Sequence, residues 1–224
     1  MKFKDVEKTC KIYSKIGLSR LILSAGMPRS GSTLMYNIIR QVLLRKYSGA
    51  LSSGWIEEIY DLPSADVFLI KTHHLDRFKA IRANHIFYSY RDIRDALVSM
   101  SRKFKCKPSL AIAREWIDQF YFAKKCARIM IRYEDMASDI SSTILSIAQC
   151  LDAQSNIDEI TASLPVVDAQ TEIDSPYSKV TLLHNNHVTG TISGEWRTIL
   201  DETLQKQLIS EFGDWFQEHQ YPLS

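Results

Sequence analysis

The run Gly26-Met27-Pro28-Arg29-Ser30-Gly31-Ser32-Thr33 concentrates groups that bind anions. It follows the apolar Leu21-Ile22-Leu23 and precedes a periodic stretch from Leu34 to Tyr47, so it reads as a strand, a tight loop and a helix N-terminus. Free backbone N–H groups and the positive end of the helix dipole make such a place a phosphate site. The glycines permit torsions and close approaches that side chains forbid, and Ser30, Ser32 and Thr33 add hydroxyl donors. The spacing is that of a P-loop, but Ser32 stands where the loop's lysine would be, and the cation is Arg29 instead. Arg91 closes the run Ile86 to Tyr90, and Ser99 follows on the next predicted helix. Both lie at the edge where open α/β sheets bind ligands, placed to converge on a second phosphate or, for Arg91, to pair with Asp92 or Asp95. Lys71-Thr72-His73-His74 follows the apolar Val67 to Ile70. A histidine there titrates near neutrality and could take the proton of a hydroxyl nucleophile. Neighbours in an extended segment face opposite ways, and register selects His73 over His74. No third ligand stands at a spacing that would make the histidine pair a metal site.

Pro28 to Thr33 resembles the 5′-phosphosulfate-binding loop of the sulfotransferases that use 3′-phosphoadenosine 5′-phosphosulfate (PAPS), Pro-(Lys/Arg)-Ser-Gly-(Thr/Ser)-Thr. Lys71-Thr72-His73, the pair Arg91 and Ser99, Tyr133-Glu134-Asp135-Met136 and Gly190 to Arg197 are similar to further motifs of that family and come in its order. The resemblance covers about Leu21 to Arg197. It implies a single sulfotransferase-like domain over residues 1–224, PAPS as sulfuryl donor without a metal, and a hydroxyl or amine acceptor. Residue by residue, it implies that Arg29, Ser30, Gly31, Ser32 and Thr33 hold the phosphosulfate and that Arg91 and Ser99 hold the 3′-phosphate. Tyr133 would lie against adenine, His73 would be the base, and Lys71 and Arg29 would be the catalytic cations. Gly190 to Arg197 would close over the nucleotide and be mobile without it. The chain departs from the family at Val188, Thr189 and Gly190, near the place of a basic pair, and at Leu34, where cytosolic members carry a tryptophan. Its loop is closer to the tyrosylprotein and carbohydrate branches, which use a glutamate base, so Glu57 or Glu58 is the rival to His73.

These residues need a scaffold that brings strand ends together. Strands are predicted at Arg20 to Ser24, Val67 to Ile70, Ile86 to Tyr90 and Arg128 to Tyr133, with helices over Ser32 to Tyr47, from Asp92 as N-cap, Pro108 to Cys126, Ser138 to Leu151 and Asp201 to His219. Pro108 suits a first helical turn. Strands alternating with helices imply parallel βαβ units: an α/β domain with a mostly parallel sheet flanked by helices and a P-loop-like core. Residues 1 to 20 read as a short helix or arm, and residues 165 to 198 as an irregular segment of the kind that serves as a lid or binding loop.

The 224 residues suit one domain, and 45% hydrophobic content is enough for one core. Lys plus Arg total 28 against 26 Asp plus Glu, a net charge of +2, which gives no sign of nucleic-acid binding. No signal-peptide pattern or membrane-length apolar run is present. The four cysteines, Cys10, Cys106, Cys126 and Cys150, have no metal or disulfide spacing and fit reduced thiols in a cytoplasm. The rival readings are a P-loop kinase, weakened by the missing lysine, and a nucleotide-binding module without chemistry. The acceptor and the oligomeric state have no signature.

Overall fold

Short apolar runs become strands buried on both faces. In the computed structural model, which describes residues 14–154, 156–165, 177–184 and 192–224, β1 (Arg20–Gly26) lies at the centre of the sheet. It leads through the loop into α1 (Ser32–Tyr47), which returns the chain to β2 (Leu51–Trp55) and a 3₁₀ turn (Ile56–Glu58). Then come β3 (Val67–Thr72), α2 (Arg77–Arg82), β4 (His85–Tyr90), α3 (Ile93–Phe104) and α4 (Leu110–Cys126). β5 (Ile129–Arg132), α5 (Tyr133–Ser138), α6 (Ile140–Cys150) and α7 (Ile157–Ala162) follow. The described chain ends with α8 (Trp196–Ile199) and α9 (Glu202–Glu218).

The sheet order is β2-β3-β1-β4-β5, and every pairing is parallel, with Leu23 opposite Ile70 on one side and Ile86 on the other. Alternation along each strand splits its apolar residues between two cores. Leu21, Leu23, Phe68, Ile70, Ile86 and Tyr88 face α3, α4 and α9, where Leu97, Phe120 and Trp215 meet them. Ile22, Val67, Leu69 and Phe87 face α1 and α6, where Ile38, Ile39 and Ile144 meet them. The connection after β1 therefore runs over one face and that after β4 over the other. Where adjacent strands send their connections to opposite faces, a crevice opens at their carboxyl ends. It opens here between β1 and β4.

Several boundaries differ from the sequence pattern. β2 is not predicted, because Leu51-Ser52-Ser53-Gly54-Trp55 lacks a strand's apolar run; it forms as an edge partner of β3. Pro108 precedes the helix, since Ser109 is the N-cap and accepts from the Ile112 N–H. Tyr133 opens α5 instead of ending β5. Asp92 caps α3 as expected, accepting from the Arg94 N–H. Residues 1–13 of the expected N-terminal arm lie outside the described residues.

Candidate active site

The loop after β1 is shaped by two residues in left-handed backbone, Arg29 at φ 65° and Gly31 at φ 71°. Gly31 is needed twice over: a Cβ there would sit 2.7 Å from Tyr133 Cδ2 and 2.8 Å from Met136 Cε. It caps α1 without a side-chain hydrogen bond, so the first turn of α1 presents Ser32, Thr33 and Leu34 to a cavity of about 910 Å³ at the sheet's carboxyl edge.

Among the described residues, three Lys and Arg side chains line that cavity. Arg29 comes from the loop, Lys71 from the end of β3 and Arg91 from the residue after β4. Arg29 Nε donates to Ser99 Oγ at 3.0 Å. Lys71 is buried; its Nζ donates to Thr33 Oγ1 and lies 5.0 Å from the centroid of the Trp55 ring. The Arg91 guanidinium lies over the Tyr133 ring at 4.4 Å. Burial, followed by the charge of Arg29, lowers Lys71 from the usual lysine range to about 7. Burial, followed by Arg91, lowers Arg29. The cluster is thus held together against its own repulsion, and an anion placed among the three would relieve it.

His73 lines the same cavity, half-buried, whereas His74 is exposed, so register separates them as the strand geometry requires. Its Nδ1 lies 2.8 Å from the Gly26 carbonyl oxygen. A carbonyl only accepts, so Nδ1 carries the proton and Nε2 keeps a free lone pair. The ring packs edge-on to Trp55 at 5.3 Å. Burial, then the Lys71 charge, lowers His73 to about 4, so the ring is neutral at neutral pH.

No protein-family model matches the chain, and no curated protein sequence does. The mouse sulfotransferase SULT7A1, solved in complex with PAP, superposes with a TM-score of 0.66 at 17% identity, over 93% of this chain and 88% of that one. Retinol dehydratase in complex with retinol and PAP gives 0.61 at 14%, covering 96% of this chain and 86% of that one. Its complex with androsterone and PAP gives 0.59 at 16%, with 94% and 84% covered. This chain has the sulfotransferase fold.

Within this sulfotransferase fold, Arg29, Gly31, Ser32, Thr33, Lys71, His73, Arg91, Ser99 and Tyr133 all line one cavity. Ser30 does not. It is fully buried, with its hydroxyl donating to the Met27 carbonyl at 2.6 Å and lying 2.7 Å from Ser89 Oγ, and its N–H donates to Met27. Its polar groups shape the loop instead of facing the cavity. Glu57 and Glu58, from the 3₁₀ turn after β2, line the cavity too.

Residues 165 to 198, expected as a lid or binding loop, supply part of the cavity's lining through Pro165, Tyr177, Leu182, Leu183 and His184, while the contacts that hold the segment had no signal in the sequence. Residues 177–184 form a turn closed by a Tyr177 to His184 bridge and pinned to α1, where Tyr36 Oη donates to the Val180 carbonyl at 3.3 Å and Asn37 Nδ2 to that of Thr181 at 2.9 Å. That docking on α1 is a non-local pairing with no local pattern to announce it. In the Gly190–Arg197 element, Gly190 and Thr191 lie outside the described residues, as do Val188 and Thr189. The rest is fastened to α3 instead of hanging free. Asp95 accepts from the Gly194 N–H at 2.8 Å and the Trp196 N–H at 3.3 Å, and Glu195 pairs through both carboxylate oxygens with Arg102. From Gly194 onward the element is fastened to α3 by a buried carboxylate that satisfies two backbone donors.

No group of three or more metal-ligating side chains occurs among the described residues, and no described helix is long and apolar enough to cross a membrane.

Proposed function

We propose that the chain transfers a sulfuryl group from PAPS to a hydroxyl or amine acceptor. The observation that carries this reading is the convergence of Arg29, Lys71 and Arg91 on one cavity, close enough that Arg29 and Lys71 are lowered by their cationic neighbours. Such a cluster fits a ligand with anionic groups at two places. Arg29, Lys71 and the N–H groups opening α1 suit the phosphosulfate; Arg91 and Ser99 suit the 3′-phosphate; the Tyr133 face, already under Arg91, suits adenine. The solved neighbours that bind PAP support the same assignment.

PAPS supplies an activated sulfuryl group, and adenosine 3′,5′-bisphosphate is what remains after transfer. His73 Nε2 accepts the acceptor's proton as the new oxygen-to-sulfur bond forms, with Nδ1–H held by the Gly26 carbonyl so that the lone pair stays available. Lys71 and Arg29 neutralise charge on the sulfuryl oxygens and on the oxygen that departs with the electron pair of the broken bond. Trp55 and Trp116 supply aromatic walls to the cavity.

The test compares adenosine 3′,5′-bisphosphate with AMP and with ATP, with and without Mg²⁺, by thermal shift, followed by turnover of labelled PAPS. The bisphosphate should stabilise the protein far more than AMP, without Mg²⁺, and Arg91→Ala should erase most of the difference. Equal stabilisation by AMP would sink the 3′-phosphate assignment, and stabilisation only by ATP with Mg²⁺ would favour a kinase.

A further inference from the structure

β2 ends where the chemistry of the cavity begins. It is an edge strand, and its last residue, Trp55, lies opposite Lys71 of β3 in the parallel register. Partners in register project to the same face of a sheet, so the indole and the lysine side chain leave their strands side by side. The indole packs against the core beneath α1, which steadies it, and both residues line the cavity. Lys71 Nζ lies over the face of the indole, 5.0 Å from the ring centroid.

Lys71 stands in an unfavourable place for a charge. Only 4% of it is exposed, its Nζ donates to Thr33 Oγ1, and no carboxylate pairs with it among the described residues. The charge that acts on it is that of another cation, Arg29 from the loop after β1. His73 stands two residues further on, and Glu57, Glu58, Arg91, Tyr133 and Tyr177 belong to other walls of the cavity. Burial and Arg29 both favour loss of the Lys71 proton. The indole face opposes them, because its π electrons attract an ammonium, and the attraction is strongest where water is excluded.

We propose that Trp55 is a positioning residue that acts through Lys71: its ring keeps the ammonium charged at the cavity wall, ready to meet an anionic donor. The role rests on the sulfotransferase reading, in which Lys71 neutralises charge on the transferred group. The same ring packs edge-on to His73 at 5.3 Å. Deleting it would therefore disturb the base as well as the cation, and a clean test alters the charge of the ring face while keeping its shape.

Such a test exchanges Trp55 in the full chain for tryptophans carrying one, two and three ring fluorines, which withdraw electron density from the face at nearly constant shape. The Lys71 titration is followed by NMR of labelled lysine side chains, with Lys71→Met assigning the signal. Each fluorine should lower the Lys71 midpoint, by about one pH unit over the series. Affinities for adenosine 3′,5′-bisphosphate and for AMP are measured by calorimetry. That for the bisphosphate should fall about fivefold at pH 7.5 and hold nearly constant at pH 5.5, where Lys71 is charged throughout. Trp55→Phe, which keeps an aromatic face, should titrate above Trp55→Leu, which does not. A ring that merely fills space gives no change along the series, and a loosened site that admits water gives a rising midpoint; either result overturns the proposal. So does a falling midpoint with bisphosphate affinity unchanged at pH 7.5, in a protein that prefers the bisphosphate to AMP. A falling midpoint in a protein that binds the bisphosphate no better than AMP would refute the sulfotransferase reading and leave the coupling of Trp55 to Lys71 standing.

Discussion

At the scale of single residues, the site is a set of bases and cations whose proton affinities report on one another. Lys71 at about 7 and His73 at about 4 are lowered first by burial and then by neighbouring positive charge. An anion among them reverses the second cause, so ligand binding and protonation are coupled. Above pH 7 the free protein has largely released the Lys71 proton, and nucleotide binding should draw one back in. Affinity for adenosine 3′,5′-bisphosphate should therefore fall as pH rises through 7. Calorimetry at pH 7.5 in buffers of different ionisation enthalpy should record net proton uptake, which Lys71→Met removes. The stability of the free protein carries the opposite sign. Between about pH 7 and 10.5 the unfolded chain holds a proton that folded Lys71 has lost, so this residue makes stability rise with pH across that window. Absence of proton uptake in wild type would show that Lys71 is charged before the nucleotide arrives. His73 should likewise titrate far below 6.5 by NMR in the free protein and move upward with nucleotide.

At the scale of elements, α3 links two parts of the site. It begins one residue after Asp92, beside Arg91, carries Ser99 against Arg29, and holds the late segment through Asp95 and Arg102. Removing Asp95 leaves the Gly194 and Trp196 N–H groups without the acceptor that fastens them. Asp95→Ala should therefore speed hydrogen exchange at both amides, while amides in β1 keep their protection. Unchanged exchange at Gly194 would mean that the Arg102 to Glu195 pair alone holds the segment.

At the scale of the molecule, Arg94 ties the sheet edge to the end of the described chain. Fully buried, it pairs with Asp92 at 2.7 Å, donates to the Pro222 carbonyl at 2.7 Å, and lies between the rings of Trp196 and Phe216 at 3.8 and 4.1 Å. Tyr221 adds a second tie by donating to Glu134 at 3.1 Å, beside Tyr133. Arg94→Ala strands a buried Asp92 carboxylate and opens a cavity between two aromatic rings, and should cost about 3–5 kcal/mol in chemical denaturation. A loss below about 1 kcal/mol would show that Asp92 finds another partner or protonates at little cost.

The loop from Gly26 to Thr33, the strands that bear Lys71 and Arg91 and the turn of His73, not His74, toward the cavity were legible in the sequence, because each depends on local pattern: apolar runs, turn residues, alternation. The inward turn of Ser30, the contact of Arg29 with Ser99, the docking of 177–184 on α1 and the fold of the segment that carries Glu57 and Glu58 were not. Each depends on which segments become neighbours. β2 is the clearest case, since Leu51 to Trp55 has too little apolar character to announce a strand and becomes one by pairing with β3, which carries Glu57 and Glu58 to the cavity. The sequence by itself determined what kinds of group stand at the strand ends. Only the strand order, set by non-local pairing and by burying two faces of one sheet, decided that cations, histidine and carboxylates would share a single cavity in that order.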